Sequence, residues 1–172
     1  MKRVNFFAGQ VLTVADLQAE QSYLRERAQR HNRWLHGWGV VRGLRVSTGK
    51  GSVRVETGMA LDGLGREIHV DQPASLPLPG RGRILFLCVR YTEQPADPVP
   101  LLGMTAKASS TAFTRIEEGY ELVLESSDPC AGRGRIERGV AGPPPEAITL
   151  ARLRLLRGGW TVDRRFRLKR VR

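Results

Sequence analysis

The amino-acid sequence predicts a mainly β fold, an antiparallel β-sandwich or open barrel preceded by one long N-terminal α-helix. Three observations support this prediction. The spacing of apolar residues changes from three or four to two after Gly39, residues 84–89 form a continuous apolar run, and the helix precedes the strands. Because parallel strands need crossover connections, usually helices, this order of elements disfavours a doubly wound parallel sheet.

The helix is predicted from Val14 to about His36. Thr13 followed by Asp16 has the pattern of a capping box, no glycine or proline interrupts the segment, and Gly37 is a natural stop. One narrow stripe of apolar or neutral residues recurs at helical spacing: Val14, Leu17, Gln21, Leu24, Ala28, His31 and Leu35. The stripe is flanked by charged residues, which indicates a docking helix that packs along one side only. These residues are Glu20, Arg25, Glu26, Arg27, Arg30 and Arg33.

Short alternating runs predict the strands. Val53 and Val55 alternate with charged residues, and a glycine turn at 62–65 precedes another such strand. The apolar run at 84–89 predicts a central strand that is covered on both faces. Further strands are predicted at 120–124, 148–155 and 160–169. The total is about seven or eight strands with hairpin-type links.

We predict a single domain over residues 1–172, composed of an N-terminal segment with the docking helix (1–38) and a β domain (39–172). Proline and glycine are frequent in two stretches of the β domain, which are predicted to be long loops near 92–114 and 128–146. Connections of this length without structure of their own are typically functional or ordered by a neighbour.

The chain carries 28 Lys and Arg against 17 Asp and Glu, a net charge of +11. Such an excess favours an acidic protein, nucleic acid or an anionic membrane surface as partner. No apolar run approaches the roughly 20 residues that span a bilayer, so membrane insertion is not expected. The N-terminus lacks the apolar core of a signal peptide, so we expect the chain in the cytoplasm.

No motif predicts catalysis, a cofactor or a metal, since phosphate-binding loops, nucleophile elbows and Cys/His clusters are absent from the sequence. His31 and His36 would point about 140° apart on an α-helix and are not expected to share a metal. Cys88 is expected to be a small buried hydrophobe and Cys130 a loop thiol, and a bridge between them is left open. The sequence therefore predicts a protein that is not an enzyme and has no small-molecule substrate.

The predicted last strand is strongly basic. At strand spacing its aromatic and aliphatic side chains face the core and its charges face outward, against acidic partner surfaces. A phosphate-binding role, and hence a nucleic-acid-binding protein, is the alternative for this basic surface. Its residues are Arg165, Arg167, Lys169, Arg170 and Arg172.

Residues 5–13 (NFFAGQVLT), 35–44 (LHGWGVVRGL) and 115–122 (RIEEGYEL) resemble small proteins encoded among the genes of phage-tail-like contractile injection systems. Residues 53–70 are similar to β-domains of phage baseplate and tail-fibre-attachment proteins. The chain differs from these relatives at 101–114, where they are richer in cysteine and it has none.

This resemblance implies a structural subunit of a contractile particle, present in multiple copies and bound to other subunits of that particle. A baseplate-peripheral or fibre-linking position is the primary hypothesis, and a cap or tube-end position is the alternative. The particle would be assembled in the cytoplasm and then released or docked at a membrane. The residues expected to contact neighbouring chains are Asn5, Phe6, Phe7, Leu17, Tyr23, Leu24, Arg27, Arg30, Trp34 and Trp38.

Overall fold

Ten strands follow one N-terminal helix in the computed structural model, which describes residues 2–100, 111–132 and 143–171. Helix α1 (Val14–His31) continues into a π-helical turn (Asn32–His36). The strands are β1 (Gly39–Gly43), β2 (Val46–Gly49), β3 (Ser52–Val55), β4 (Gly58–Leu61), β5 (Glu67–Val70), β6 (Ala74–Pro77), β7 (Ile84–Pro100), β8 (Thr111–Glu125), β9 (Ala147–Leu156) and β10 (Gly159–Val162). The predicted mainly β class is confirmed, with antiparallel sheets, one of them curled into half a barrel, after one helix.

The strands form three sheets in the orders β1-β4-β5, β2-β3-β6 and β10-β9-β7-β8. All neighbouring strands within the sheets are antiparallel. β7 lies inside the four-stranded sheet, and its Leu87, Cys88 and Val89 are fully buried. Since consecutive residues of a strand point to opposite faces, this part of β7 is covered on both sides, as its apolar run predicts.

Side chains from all three sheets meet in one apolar core. Val40 of β1, Val53 of β3, Ile68 of β5, Leu87 of β7 and Leu153 of β9 have no exposed surface and belong to the same cluster. Alternating burial along β3 and β5 places every second side chain in this core, which is the pattern that the sequence predicts for half-buried strands.

The helix boundaries agree with the sequence at both ends. The Thr13 hydroxyl accepts the N–H of Asp16 and the Asp16 carboxylate accepts the N–H of Thr13, which completes the predicted capping box. Gly37 ends the helical segment with a φ of +76°, and its N–H donates to the carbonyl of Asn32 at 3.0 Å. A hydrogen bond from an N–H to the carbonyl five residues earlier defines a π-helical turn.

The prediction that His31 and His36 point apart is wrong, because the helix ends in a π-helical turn. Residues five apart are neighbours in a π-turn, whereas they diverge on an α-helix. The two imidazole rings pack edge to face with centroids 5.3 Å apart.

The predicted loop at 92–114 is wrong over its described residues. β7 continues to Pro100 and β8 begins at Thr111, so residues 92–100 and 111–119 form a two-stranded projection, the β7–β8 ribbon. β9 pairs with β7 only between Ile84 and Arg90, and beyond that point one edge of β7 has no strand beside it in the described chain. Proline is tolerated on such an edge because no neighbour needs its missing N–H. Residues 101–110 of the predicted loop lie outside the described residues.

The second predicted loop is irregular at its described ends, 128–132 and 143–146. Residues 133–142, in its middle, lie outside the described residues. The end of the chain departs from the prediction, because β10 stops at Val162. The Asp163 carboxylate accepts the N–H of Arg165 at 3.0 Å and the Asp163 carbonyl accepts the N–H of Phe166, also at 3.0 Å. These bonds form a turn, a local alternative that aspartate offers to continued strand pairing.

Candidate partner-binding surfaces

Helix α1 contains no buried residue. Leu17 and Leu24 are each 52% exposed, although an amphipathic helix normally buries such a stripe against its own core. We define the N-terminal apolar surface as the exposed large apolar residues of this segment. Its members are Phe6, Phe7, Val11, Leu12, Val14, Leu17, Leu24, Trp34 and Leu35.

The helix is attached to the sheets near its C-terminal end. Gly65, in the turn between β4 and β5, lies so close to the carbonyl of Gln29 that a β-carbon at this glycine would collide with it. The Asn32 amide donates to the carbonyl of Gly65 at 3.1 Å and to a carboxylate oxygen of Glu67 at 3.3 Å. The apolar stripe N-terminal to this joint, including Leu17 and Leu24, therefore stays uncovered by the chain's own sheets.

The turn that receives the helix is built around the fully buried Asp62. One oxygen of its carboxylate accepts the N–H groups of Leu64 and Arg66, both at 2.9 Å, and the other accepts Nε of Arg66 at 2.6 Å. Burial lowers the pKa of Arg66, but the hydrogen bonds and charges of Asp62 and Glu146 together outweigh this effect and raise it. The guanidinium therefore stays charged, and this turn is held by an ion pair between a fully buried carboxylate and a partly exposed guanidinium.

Arg66 also connects the turn to the base of the ribbon. Its guanidinium carbon lies 5.0 Å from the centroid of the Tyr91 ring, and the Tyr91 hydroxyl donates to Glu93 at 2.9 Å. Burial, together with this hydrogen bond, raises the pKa of Tyr91, so the phenol stays protonated. The sequence predicted a turn at 62–65. It did not predict that Asp62, Arg66 and Tyr91 would connect the helix, the sheets and the ribbon. An aspartate beside a glycine turn was the one available signal.

Most of the predicted contact residues lie on the surface, and Tyr23 is half-buried. The prediction for Trp38 as a partner contact is wrong, because this side chain is 3% exposed and packs in the core. The Lys169 ammonium covers its ring, with the nitrogen 3.1 Å from the ring centroid. The exposed members of the predicted set are Asn5, Phe6, Phe7, Leu17, Leu24, Arg27, Arg30 and Trp34.

The predicted basic surface is not one face of a strand. Arg165, Arg167 and Arg170 are exposed, but they follow a turn and lie outside regular strands. Lys169 was also predicted to belong to this basic surface, but its side chain is half-buried against the ring of Trp38. Arg172 lies outside the described residues. The turn at Asp163 thus divides the basic residues from β10.

Both cysteines have free thiols in this structure. Burial raises the pKa of Cys88 to about 12, and burial also raises the pKa of Cys130. The Cys130 thiol donates to the carbonyl of Ala147 at 3.4 Å. A thiol with a raised pKa is a poor nucleophile at neutral pH, so the chemistry of these groups is that of packing.

Within the described ranges, His, Cys, Asp and Glu side chains form no group of three or more that is placed to hold a metal ion. Among the helices of the same residues, none combines the length and apolar character of a transmembrane segment.

No protein-family model and no curated protein matches this chain. Its fold is similar to that of chains in three solved structures. One is the TssK-TssF-TssG baseplate subcomplex of the type VI secretion system, with 14% identity and a TM-score of 0.55. The second is the type VI baseplate complex, with 15% identity and a TM-score of 0.54. The third is TssK, with 13% identity and a TM-score of 0.54.

These matches cover 98%, 98% and 94% of this chain, but only 62%, 59% and 40% of the chains matched. This chain therefore spans less than two thirds of each of them. At such low identity the likeness concerns the fold alone: this chain is similar in fold to part of a chain in these structures.

Proposed function

We propose that this protein is a non-enzymatic structural subunit of a contractile, phage-tail-like particle, at the baseplate periphery or at a fibre link. A cap or tube-end position in the same particle is the alternative location. The fold likeness to baseplate chains supports this proposal, as does the sequence resemblance to proteins encoded with contractile injection systems. The observation that carries it is the N-terminal apolar surface.

Helix α1 gains little stability from burying apolar side chains against the described residues of this chain. Helices in globular proteins owe most of their stability to the packing of an apolar face against other elements. α1 has 18 residues and buries none of them. A neighbouring chain that covers Leu17 and Leu24 would provide the missing burial, at about 1 kcal/mol for each half-exposed leucine.

The flanks of the stripe indicate the chemistry of the partner. Arg27 and Arg30 are exposed on the same helix as Leu17 and Leu24. An apolar groove with acidic residues along its rim would match this surface, in the helix-in-groove mode of recognition. Ion pairs at such a rim mainly set orientation and association rate, whereas the leucines contribute affinity. The partner we propose is therefore another particle subunit with an acid-rimmed apolar groove.

The test is incorporation of a variant chain into particles. Leu17→Glu combined with Leu24→Glu places two charges on the stripe and should reduce the amount of this chain in purified particles by at least about tenfold, since buried unpaired carboxylates are strongly unfavourable. Quantitative mass spectrometry of the particles measures the amount. The matched control, Gln18→Glu with Ala19→Glu, adds the same charge to exposed positions outside the stripe and should be incorporated normally.

Normal incorporation of the Leu17/Leu24 variant would refute docking through the helix. Absence of the unmodified chain from purified particles would refute the structural role itself. Tight binding of the purified chain to duplex DNA, with a steep dependence on salt, would favour the nucleic-acid alternative instead.

A further inference from the structure

The β7–β8 ribbon has two edges, and they differ in composition. The outer edge of β7 carries Pro95, Pro98 and Pro100, which lack the N–H that a further strand would need. β8 is the edge strand of its sheet and runs for 15 residues without a proline. Natural sheets commonly protect exposed edges with proline, so the β7 edge is blocked, whereas no strand of the described residues pairs with the outer edge of β8.

The open edge exposes apolar and charged side chains together. Ile116 and Phe113 are 58% and 52% exposed. Arg115 donates to the adjacent Thr114 carbonyl at 2.9 Å, and neither Arg115 nor Glu117 forms an ion pair with another described residue. Arg115 and Glu117 carry opposite charges and lie two positions apart on β8. Both can therefore form ion pairs with an added strand.

We infer that β8 pairs antiparallel with β8 of a second copy of this chain, about a two-fold axis through Ile116. A two-fold axis perpendicular to the joined sheet keeps each side chain on its own face. Because side chains alternate between faces, the axis must pass through a residue and not between two residues. The result is an isologous interface, in which both copies use the same surface.

This register makes the β8 sequence self-complementary. With the axis at Ile116, this residue faces its own copy, and Arg115 of each chain faces Glu117 of the other. Phe113 faces Gly119, where an aromatic ring covers the backbone of a glycine that has no side chain to pack. Opposite charges and apolar pairs directly across an antiparallel ladder are each stabilising by about 0.2–1 kcal/mol.

The neighbouring registers are less favourable. An axis through Arg115 places two arginines opposite each other, and an axis through Glu117 or Glu118 does the same with two glutamates. An axis through Gly119 sets Glu117 against Glu121. Like charges directly opposite are destabilising. Among the registers centred on residues 115–119, the one at Ile116 alone pairs opposite charges without opposing like ones.

The pairing does not depend on the proposed particle role, since it concerns the purified chain in solution. A dimer could form whether or not the chain is incorporated into particles, and incorporation through the helix requires no dimer. The two experiments therefore fail independently.

Sedimentation of the purified chain over a concentration series measures the dimer directly. Arg115→Glu and Glu117→Arg each create two like-charge contacts and should weaken the dimer by about tenfold. The double variant Arg115→Glu/Glu117→Arg restores both opposite-charge pairs and should dimerise within about twofold of the unmodified chain. Restoration also excludes misfolding as the cause of the single-variant effects.

Cysteine trapping tests the register. Ile116→Cys should form a disulfide-linked dimer under mild oxidation, because the two residues face each other across the axis. Thr114→Cys lies on the same face, but its two copies would be about 14 Å apart along the strands, beyond disulfide reach. The unmodified chain, with Cys88 buried and Cys130 half-buried, controls for the native thiols.

A monomer at every concentration would overturn the inference. A dimer that the double charge reversal does not restore, or that Thr114→Cys traps as readily as Ile116→Cys, would overturn it equally.

Discussion

The three sheets around the shared core, here called the body, bury apolar side chains that helix α1 and the β7–β8 ribbon leave exposed. In the body, Leu87 and Leu153 have no exposed surface, whereas Leu17 and Leu24 of α1 and Ile116 of the ribbon expose more than half of theirs, at 52%, 52% and 58%. The body is stabilised by its own core. Helix α1 and the ribbon instead present apolar side chains that the described residues leave exposed, and such exposed surface is typical of interaction sites.

The largest expected effect is a difference in the free energy of unfolding when the same substitution, leucine to alanine, is made in the two regions. Leu153→Ala removes a fully buried side chain and should lower the free energy of unfolding by about 2–5 kcal/mol, through lost burial and the cavity left behind. Leu24→Ala should lower it by no more than about 1 kcal/mol, because about half of this side chain is already exposed and no closed cavity is left behind. Chemical denaturation measures both. A large loss for Leu24→Ala would show that α1 is part of the body's cooperative core.

A smaller effect is expected at the joint between body and helix. Gly65 has a φ of +84°, so Gly65→Ala should lose about 1–2 kcal/mol from backbone strain, and its β-carbon would also push the Gln29 carbonyl away. Hydrogen exchange should then become faster in the last turn of α1. Gly132→Ala is the matched control, because Gly132 has a φ of +71° and open space around it. Equal effects of the two substitutions would argue against a joint at Gly65.

The smallest effect concerns the far end of the helix. Hydrogen bonds from the Thr13 hydroxyl and the Thr13 backbone N–H lower the pKa of Asp16 below its ordinary value of 3.8. The folded helix therefore favours the carboxylate. This stabilisation is fully present above that ordinary value and is lost as the pH falls through the lower pKa of the folded state. Helix content, followed by circular dichroism, should decrease slightly in this acidic range while the sheets persist.

Thr13→Ala should remove about 1 kcal/mol of local helix stability, as expected for the loss of an N-cap. Asp16→Asn should abolish the acid-dependent part of the helix signal. If this variant retains the same pH dependence, another group is responsible for it.

Local patterns in the sequence predicted the elements whose structure is decided by nearby residues. The capping box at Thr13, the stop at Gly37 and the central strand with Leu87 depend on neighbours in the chain and on the spacing of apolar residues, and all three were predicted correctly. The exposed surface of α1 at Leu17 and Leu24 was also predicted, because the stripe was narrow and flanked by charge.

Tertiary structure decided the features that depend on distant residues. The ribbon at Pro95 and Pro98 exists because β8 pairs with one edge of β7 while the other edge needs no donors. Trp38 is buried because it packs in the shared core and because Lys169, more than a hundred residues away, covers its ring. Asp62, Arg66 and Tyr91 come together only when the turn between β4 and β5, the helix and the base of the ribbon meet.

What the sequence alone determined is therefore the class of fold, the limits of the helix and the presence of an uncovered apolar stripe. These depend on backbone preferences and on the period of apolar residues, which act over a few positions. Which side chains are buried, which edges stay open and which charges find partners depends on long-range contacts. Local patterns do not specify those contacts, because each needs the position of a residue from another part of the chain.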